Sequence, residues 1–248
     1  MSEAAETGVA AVDRALSILA VFSPRDPALS LAELAARTGL YKSTILRLAQ
    51  SLQRAGFLQR LESGDYRIGP AGLRLATIYQ NTHVAGDMLL PAMRALVERV
   101  NESVAFYVLE GDRRVCLYRV NADRPVAHQV RVGDSMPLPE GASGRVLAAF
   151  AGWEGEPYAS IRETGAWMSS GERDPDFASL AAAVFGPNQA LVGALVIGGP
   201  RSRIDAIAHD ARDLLVAAAA SCTRRLGGMA LPSRDGRRSL FDEDARPA

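Results

Sequence analysis

The stretch ARTGLYKSTILRLAQ, Ala36 to Gln50, decides the reading of the first seventy residues. Thr38-Gly39 stops whatever precedes it, because glycine takes the left-handed conformation that ends a helix. The polar trio Lys42-Ser43-Thr44 then opens a helical pattern running to about Ala55, where Gly56 stops it. Ser43, Arg47, Gln50 and Arg54 recur at steps of four, three and four on one face, while Ile45, Leu48 and Leu52 fall on another. A helix with small hydroxyls at its start and arginines along its outer face is either a solvated surface helix or one that meets a polyanion.

The flanking residues bear on that choice. Upstream, residues 9–22 read as a helix ended by Pro24 and Pro27. Ser30 and Glu33 form the S-x-x-E capping box of a second helix over 31–37. Downstream, residues 57–68 read as a hairpin turning at Ser63-Gly64-Asp65. Three helices and a hairpin make a winged helix-turn-helix. From Arg37 to Arg67 there are six basic residues (Arg37, Lys42, Arg47, Arg54, Arg60, Arg67) against two acidic ones (Glu62, Asp65), a net +4. Such a patch suits phosphate contacts. A helix start carrying Ser43 and Thr44 suits a phosphate through its free amides. Lys42, Ser43, Thr44, Arg47, Gln50 and Arg54 are therefore the candidate DNA-reading residues, with Arg60 and Arg67 on the wing. Some winged helices instead bind protein.

The whole chain of 248 residues is neutral, 28 basic against 28 acidic, so this patch is local. Its length suggests one or two domains. An apolar share of 48% and a charged share of 23% are those of an ordinary globular protein. Cys116 and Cys222 lie far apart in apolar segments, with neither metal spacing nor a disulfide framework. The longest apolar runs, Ala15–Phe22 and Leu214–Ala220, fall short of the ~20 residues a membrane span needs. With an acidic start that is no secretory signal, this predicts a cytoplasmic protein.

Beyond Gly69-Pro70 the texture changes. A linker helix is expected over 71–88, with Pro91 starting or kinking a helix to about Asn101. Residues 104–109 and 114–120 read as a hairpin, 126–132 as a third strand, and 144–152 and 158–165 as short helices. Residues 180–185 and 190–197 read as a second hairpin, and 203–226 as a long helix with Ile204, Ile207, Ala211, Leu214 and Leu215 on one side. Residues 228–248 lack periodicity and read as a disordered tail. The second half is thus an antiparallel sheet with helices, which makes the chain α+β. It holds no nucleotide-binding glycine loop. His83, His128 and His209 are scattered, with no nucleophile beside them and no metal-ligand spacing, so neither a catalytic site, a metal nor a cofactor is expected. An enzyme built on this half is the rival reading.

AVDRALSIL at 11–19, LAELA at 31–35, TGLYKST at 38–44 and YRIGP at 66–70, in that order, resemble motifs of the IclR family of bacterial transcriptional regulators. The first resembles its opening helix. The next two, with Arg47-Leu48, resemble its helix-turn-helix, with Tyr41 where a proline is usual. Gly56-Phe57 and YRIGP resemble its wing. RVGDSMPL at 131–138, SSGE at 169–172 and GPRSR at 199–203 resemble motifs of its C-terminal half. The resemblance covers roughly residues 8–227. It implies a winged helix-turn-helix at 8–70, a GAF-like effector-binding domain at 89–227, and homodimers or dimers of dimers on double-stranded operator DNA. It also implies a small-molecule effector, an organic or aromatic acid, under the loop running from Met136 to Arg145. Pro139 and Glu140 depart from the family's usual His and small residue there. Carried over, the effector-facing residues are Met136, Leu138, Gly141, Ala142, Ser143, Ser169, Ser179, Val196 and Gly198. Val196 and Gly198 stand where serines are common, which predicts a pocket less polar than in regulators of small keto acids and a larger or more aromatic effector. Glu140 and Arg145 are close enough in sequence to pair with each other.

Overall fold

The computed structural model describes residues 8–23, 26–82, 85–124 and 130–231. His83, His128, most of the expected strand at 126–132, and the tail from 232 onward lie outside them. The chain divides into two compact units, residues 1–82 and 83–248.

The first unit begins with α1 (Ala10–Ala20), then β1 (Ala28–Leu29), α2 (Leu31–Thr38) and α3 (Lys42–Arg54). The capping box at the start of α2 is complete. The Ser30 N–H donates to Glu33 Oε2 (2.8 Å) and the Glu33 N–H to Ser30 Oγ (3.2 Å), so two of the helix's orphan donors are satisfied at once. Gly39 ends α2 at φ 70°, a conformation that costs glycine nothing. The hairpin is β2 (Leu58–Arg60) and β3 (Tyr66–Ile68), and β1 adds to β3 as a third antiparallel strand. Ile18, Leu34, Ile45, Ala49, Leu52, Leu58 and Tyr66 form one core beneath these elements. Then α4 (Pro70–Thr82) exposes Leu73, Leu75 and Ile78, and α1 exposes Val9, Val12 and Leu16.

The second unit opens with α5 (Ala85–Val100), which carries Pro91 within it. It continues through β4 (Ser103–Glu110), β5 (Arg113–Val120), β6 (Ser135–Pro137), α6 (Gly141–Phe150), α7 (Tyr158–Thr164), β7 (Ala166–Ser170), β8 (Phe177–Phe185), β9 (Leu191–Pro200) and α8 (Arg201–Arg225). The strands form one antiparallel sheet in the order β6-β5-β4-β9-β8-β7. Residues 130–132 are not a strand; the edge of the sheet is taken by β6 instead. Period-two alternation sends Val104, Phe106, Leu180, Leu195 and Ile197 to one face, under α5 and α8. It sends Ala105, Tyr107, Ala181, Ala183 and Val196 to the other, against Val146, Leu147 and Ile161 of α6 and α7. Each large side chain so buried contributes about 1.5–3 kcal/mol. On α8, Ile204, Ala211 and Leu215 are buried, with Ile207 and Leu214 packed at the margin.

Parity changes in two places: between Val184 and Phe185 where β8 pairs with β9, and in the β4–β5 pairing, which bears on the site. The pairing of β4 with β5 shifts between Phe106 and Tyr107, so Tyr107 faces Cys116 while Phe106 faces Tyr118. Leu117 is the extra residue of a bulge. Arg114, Cys116 and Arg119 therefore share the α6 face, although 114 and 119 are an odd number apart. No helix among the described residues is long and apolar enough to cross a membrane.

Candidate functional site

In the first unit, Lys42, Ser43, Arg47, Gln50 and Arg54 are exposed along α3 and Thr44 is half-buried, while Ile45, Ala49 and Leu52 are buried on the opposite side. The N-cap position is Tyr41, 84% exposed, and no side chain caps the helix start. The first-turn amides and the positive end of the helix dipole are therefore open to an anion. Arg47 makes no hydrogen bond or ion pair among the described residues, whereas Arg54 donates to Ser51 Oγ (3.2 Å). The wing arginines are held in place. Arg67 donates through Nε and Nη2 to Gln59 Oε1 (3.0 and 2.9 Å), its partner across the hairpin. Arg60 stacks over the Tyr66 ring at 5.9 Å. Arg37, counted in the basic patch, is instead engaged by Asp26 at 3.0 Å.

In the second unit a cavity of about 530 Å³, part of it open to solvent, lies between the sheet and the start of α6. Two rows of the sheet form its floor. Ser169, Ser179, Gly198 and Ser103 stand in register across β7, β8, β9 and β4. Arg119, Ala105 and Val196 form the next row, across β5, β4 and β9. Gly141, Ala142 and Ser143, the first residues of α6, form the roof, and Met136 one wall. Eight of the nine residues expected to face an effector thus line one space. Leu138 does not line it; its side chain packs into the core beneath α6.

Polar and apolar groups both line the cavity. Ser103, Ser143, Ser169 and Ser179 line it together with Arg114, Arg119 and Arg173, and no lining residue is acidic. Tyr107 and Phe177 supply aromatic surface. Arg114 is 3% exposed. Its Nη1 donates to the carbonyls of Pro137 (3.1 Å) and Glu140, which fixes the turn leading into α6. Among the described residues it forms no ion pair, and its buried Nε has no hydrogen-bond partner. Burial, opposed by the neighbouring Tyr107 and reinforced by the Arg173 charge, draws its pKa well down, to about 10. A Cβ on Gly144 would collide with this guanidinium, so the glycine is what lets the charge lie against α6. Glu140 does not pair with Arg145: Arg145 reaches Glu172 instead, at 3.0 Å. α6 begins at Gly141, three residues earlier than its apolar pattern indicates, with no side-chain cap.

The three arginines, Ser103, Ala105, Tyr107 and Phe177 are the lining residues that sequence reasoning missed. One signal was available. Arg114 sits at an inward position of the alternating strand RRVCLYRV, where a charge is out of place. Among the described residues no cluster of His, Cys, Asp and Glu could hold a metal ion, and His209 lies exposed on α8.

Two family models match: the IclR helix-turn-helix domain over residues 11–62, and the Bacterial transcriptional regulator IclR C-terminal domain over residues 77–156. The chain is 28% identical to the HTH-type transcriptional regulator KipR of Bacillus subtilis over 62% of its own length and 60% of that protein's, so the match spans about three fifths of this relative. A crystal structure of a putative IclR transcriptional regulator from Silicibacter sp. TM1040 superposes with a TM-score of 0.74 at 26% identity, over 90% of this chain and 98% of that one. An IclR homologue from Microbacterium hydrocarbonoxydans, complexed with 4-hydroxybenzoate, has the same fold, with a TM-score of 0.74 at 21% identity over 88% and 99%.

Proposed function

The chain belongs to the IclR family of bacterial transcriptional regulators, and on that premise we propose that it is a ligand-responsive regulator that binds operator DNA in the cytoplasm. The observation that carries this is the outer face of α3. Its exposed Ser43, Arg47, Gln50 and Arg54 stand above an uncapped helix start, beside a hairpin that holds Arg60 and Arg67 outward. A helix so equipped can enter a major groove, with Arg47 able to bond guanine and the first-turn amides set against a phosphate. The wing arginines then grip the flanking backbone.

The cavity of the second unit is the effector site in this reading, and its arginines call for an organic or aromatic acid. The genes controlled would be those for catabolism of that acid. Val12 and Leu16 of α1, and Leu73, Leu75 and Ile78 of α4, are exposed apolar residues that a second copy would cover, since exposed apolar surface marks interaction sites. Regulation is a linked equilibrium: an effector that binds one arrangement of the paired chains better shifts operator affinity by its differential affinity. The test is fluorescence anisotropy with DNA flanking the gene, at several salt concentrations. Binding should weaken linearly in log–log form as counterions are released. Salt-insensitive binding, or no binding to any flanking segment, would exclude the reading.

A further inference from the structure

Met136 stands between two guanidinium groups of the cavity. Its Sδ lies 3.7 Å from Arg114 Nη2 and 2.7 Å from Arg173 Nη1. A thioether is the weakest acceptor a protein side chain offers to a charged donor. Both cations carry donor geometry made for two oxygens in a plane. Each already rests on an aromatic ring, Arg114 over Tyr107 at 5.9 Å and Arg173 over Phe177 at 6.0 Å. Arg114 is almost wholly buried with no carboxylate partner among the described residues, and Arg119 and Arg173 bring two further like charges to the same cavity. A buried charge left so is costly unless something pairs it. The amides at the start of α6, opposite, add partial positive charge.

The geometry points to the space now held by the Met136 sulfur as the seat of the effector's carboxylate, taken between Arg114 and Arg173, with Met136 a displaceable plug. This rests on the reading of the cavity as the effector site. The ligand is an aromatic carboxylate: its anionic end replaces the sulfur, and its ring lies with Tyr107 and Phe177. Met136 and Arg114 are register partners on β6 and β5. Displacing the thioether therefore acts on the edge strand and on the turn that Arg114 holds to α6, which is a direct route from occupancy to a change in that edge.

The experiment uses the full chain, 4-hydroxybenzoate, and its uncharged amide 4-hydroxybenzamide, with titration calorimetry and the NMR signals of methyl-labelled methionines, Met136 being assigned from Met136→Leu. The acid is expected to bind and to move the Met136 methyl signal, and the amide to bind roughly tenfold more weakly or worse, because a charged hydrogen bond is lost. Arg114→Met also removes the bonds to Pro137 and Glu140, so Arg173→Met, at an exposed position, is the cleaner variant; it should weaken the acid roughly tenfold and leave the amide unchanged. Equal binding of acid and amide with Met136 unmoved overturns the seat but leaves the cavity as an effector site. Binding of neither overturns the seat, while operator binding, measured on the same protein, reports separately on the regulator.

Discussion

Arg203, in the first turn of α8, grips both carboxylate oxygens of Glu102, at 2.5 and 2.9 Å. A cation at a helix N-terminus opposes the dipole. Glu102 offsets that, and it is itself only 3% exposed. The pair ties the entrance of β4 to the long helix covering the sheet.

The two halves of this pair are unequal. Arg203→Ala leaves a buried carboxylate facing only Arg124 at 4.0 Å, and should cost about 3 kcal/mol, lowering the melting temperature by roughly 6–12 °C. Glu102→Gln leaves Arg203, whose side chain already reaches solvent, with a neutral neighbour that can still accept a hydrogen bond, and should cost about 1–2 kcal/mol. Thermal unfolding followed by circular dichroism measures both; equal losses would contradict the asymmetry.

For α3, Arg47→Ala should weaken operator binding by about 1–3 kcal/mol and relax base preference at one position. Arg67→Ala, on the wing, should weaken all sequences alike and reduce the salt slope by roughly one. Effector binding should not change in either variant. Unaltered operator affinity in Arg47→Ala would remove α3 from the DNA-reading role.

The capping box has a pH signature. The Ser30 hydroxyl and N–H, donating to Glu33, hold its carboxyl below the ordinary 4.5. A lowered folded pKa means the contribution is complete above the unfolded value and is lost as pH falls through the folded one. Ser30→Ala should lower stability near neutrality, and by less once the pH falls below 4.5. Urea unfolding at both pH values tests this.

Burial pushes the Cys116 thiol up to about 12 and the Cys222 thiol up to about 11. The thiolate is the reactive form. Neither cysteine should be alkylated by iodoacetamide at pH 8 until the chain is unfolded by urea, which mass spectrometry reads directly.

How much of this was legible varied with the physics of each element. α1, α2 and α3 announce themselves, because capping residues, stop glycines and a 3.6-residue period are local properties of the chain. β1, two residues long, has no period to detect; pairing with β3 creates it. β7 (Ala166–Ser170) is a real strand without alternation in AWMSS, so Ser169 could be named while its strand could not. Ser143, Ser169, Ser179, Gly141 and Gly198 were reachable through motif order, whereas Ser103 was not. Arg119 and Arg173 were not, since one reaches the cavity through a bulge and the other from the segment between β7 and β8. Arg114 was reachable as a charge at an inward position.

The bulge at Leu117 makes β5 tolerant of length but not of spelling. Because Leu117 has no counterpart across the ladder, deleting it would straighten the strand and leave Cys116, Tyr118 and Arg119 opposite the partners they already have. The cost would be one leucine's packing against α5 and α8. Inserting one residue anywhere else between Arg114 and Arg119 would instead exchange the two faces beyond it, turning Arg119 into the hydrocarbon core and Tyr118 into the cavity. The charge of the chamber is thus set by a count of residues as much as by their kinds, and a lineage could lose or regain a positive wall through a single codon gained or dropped.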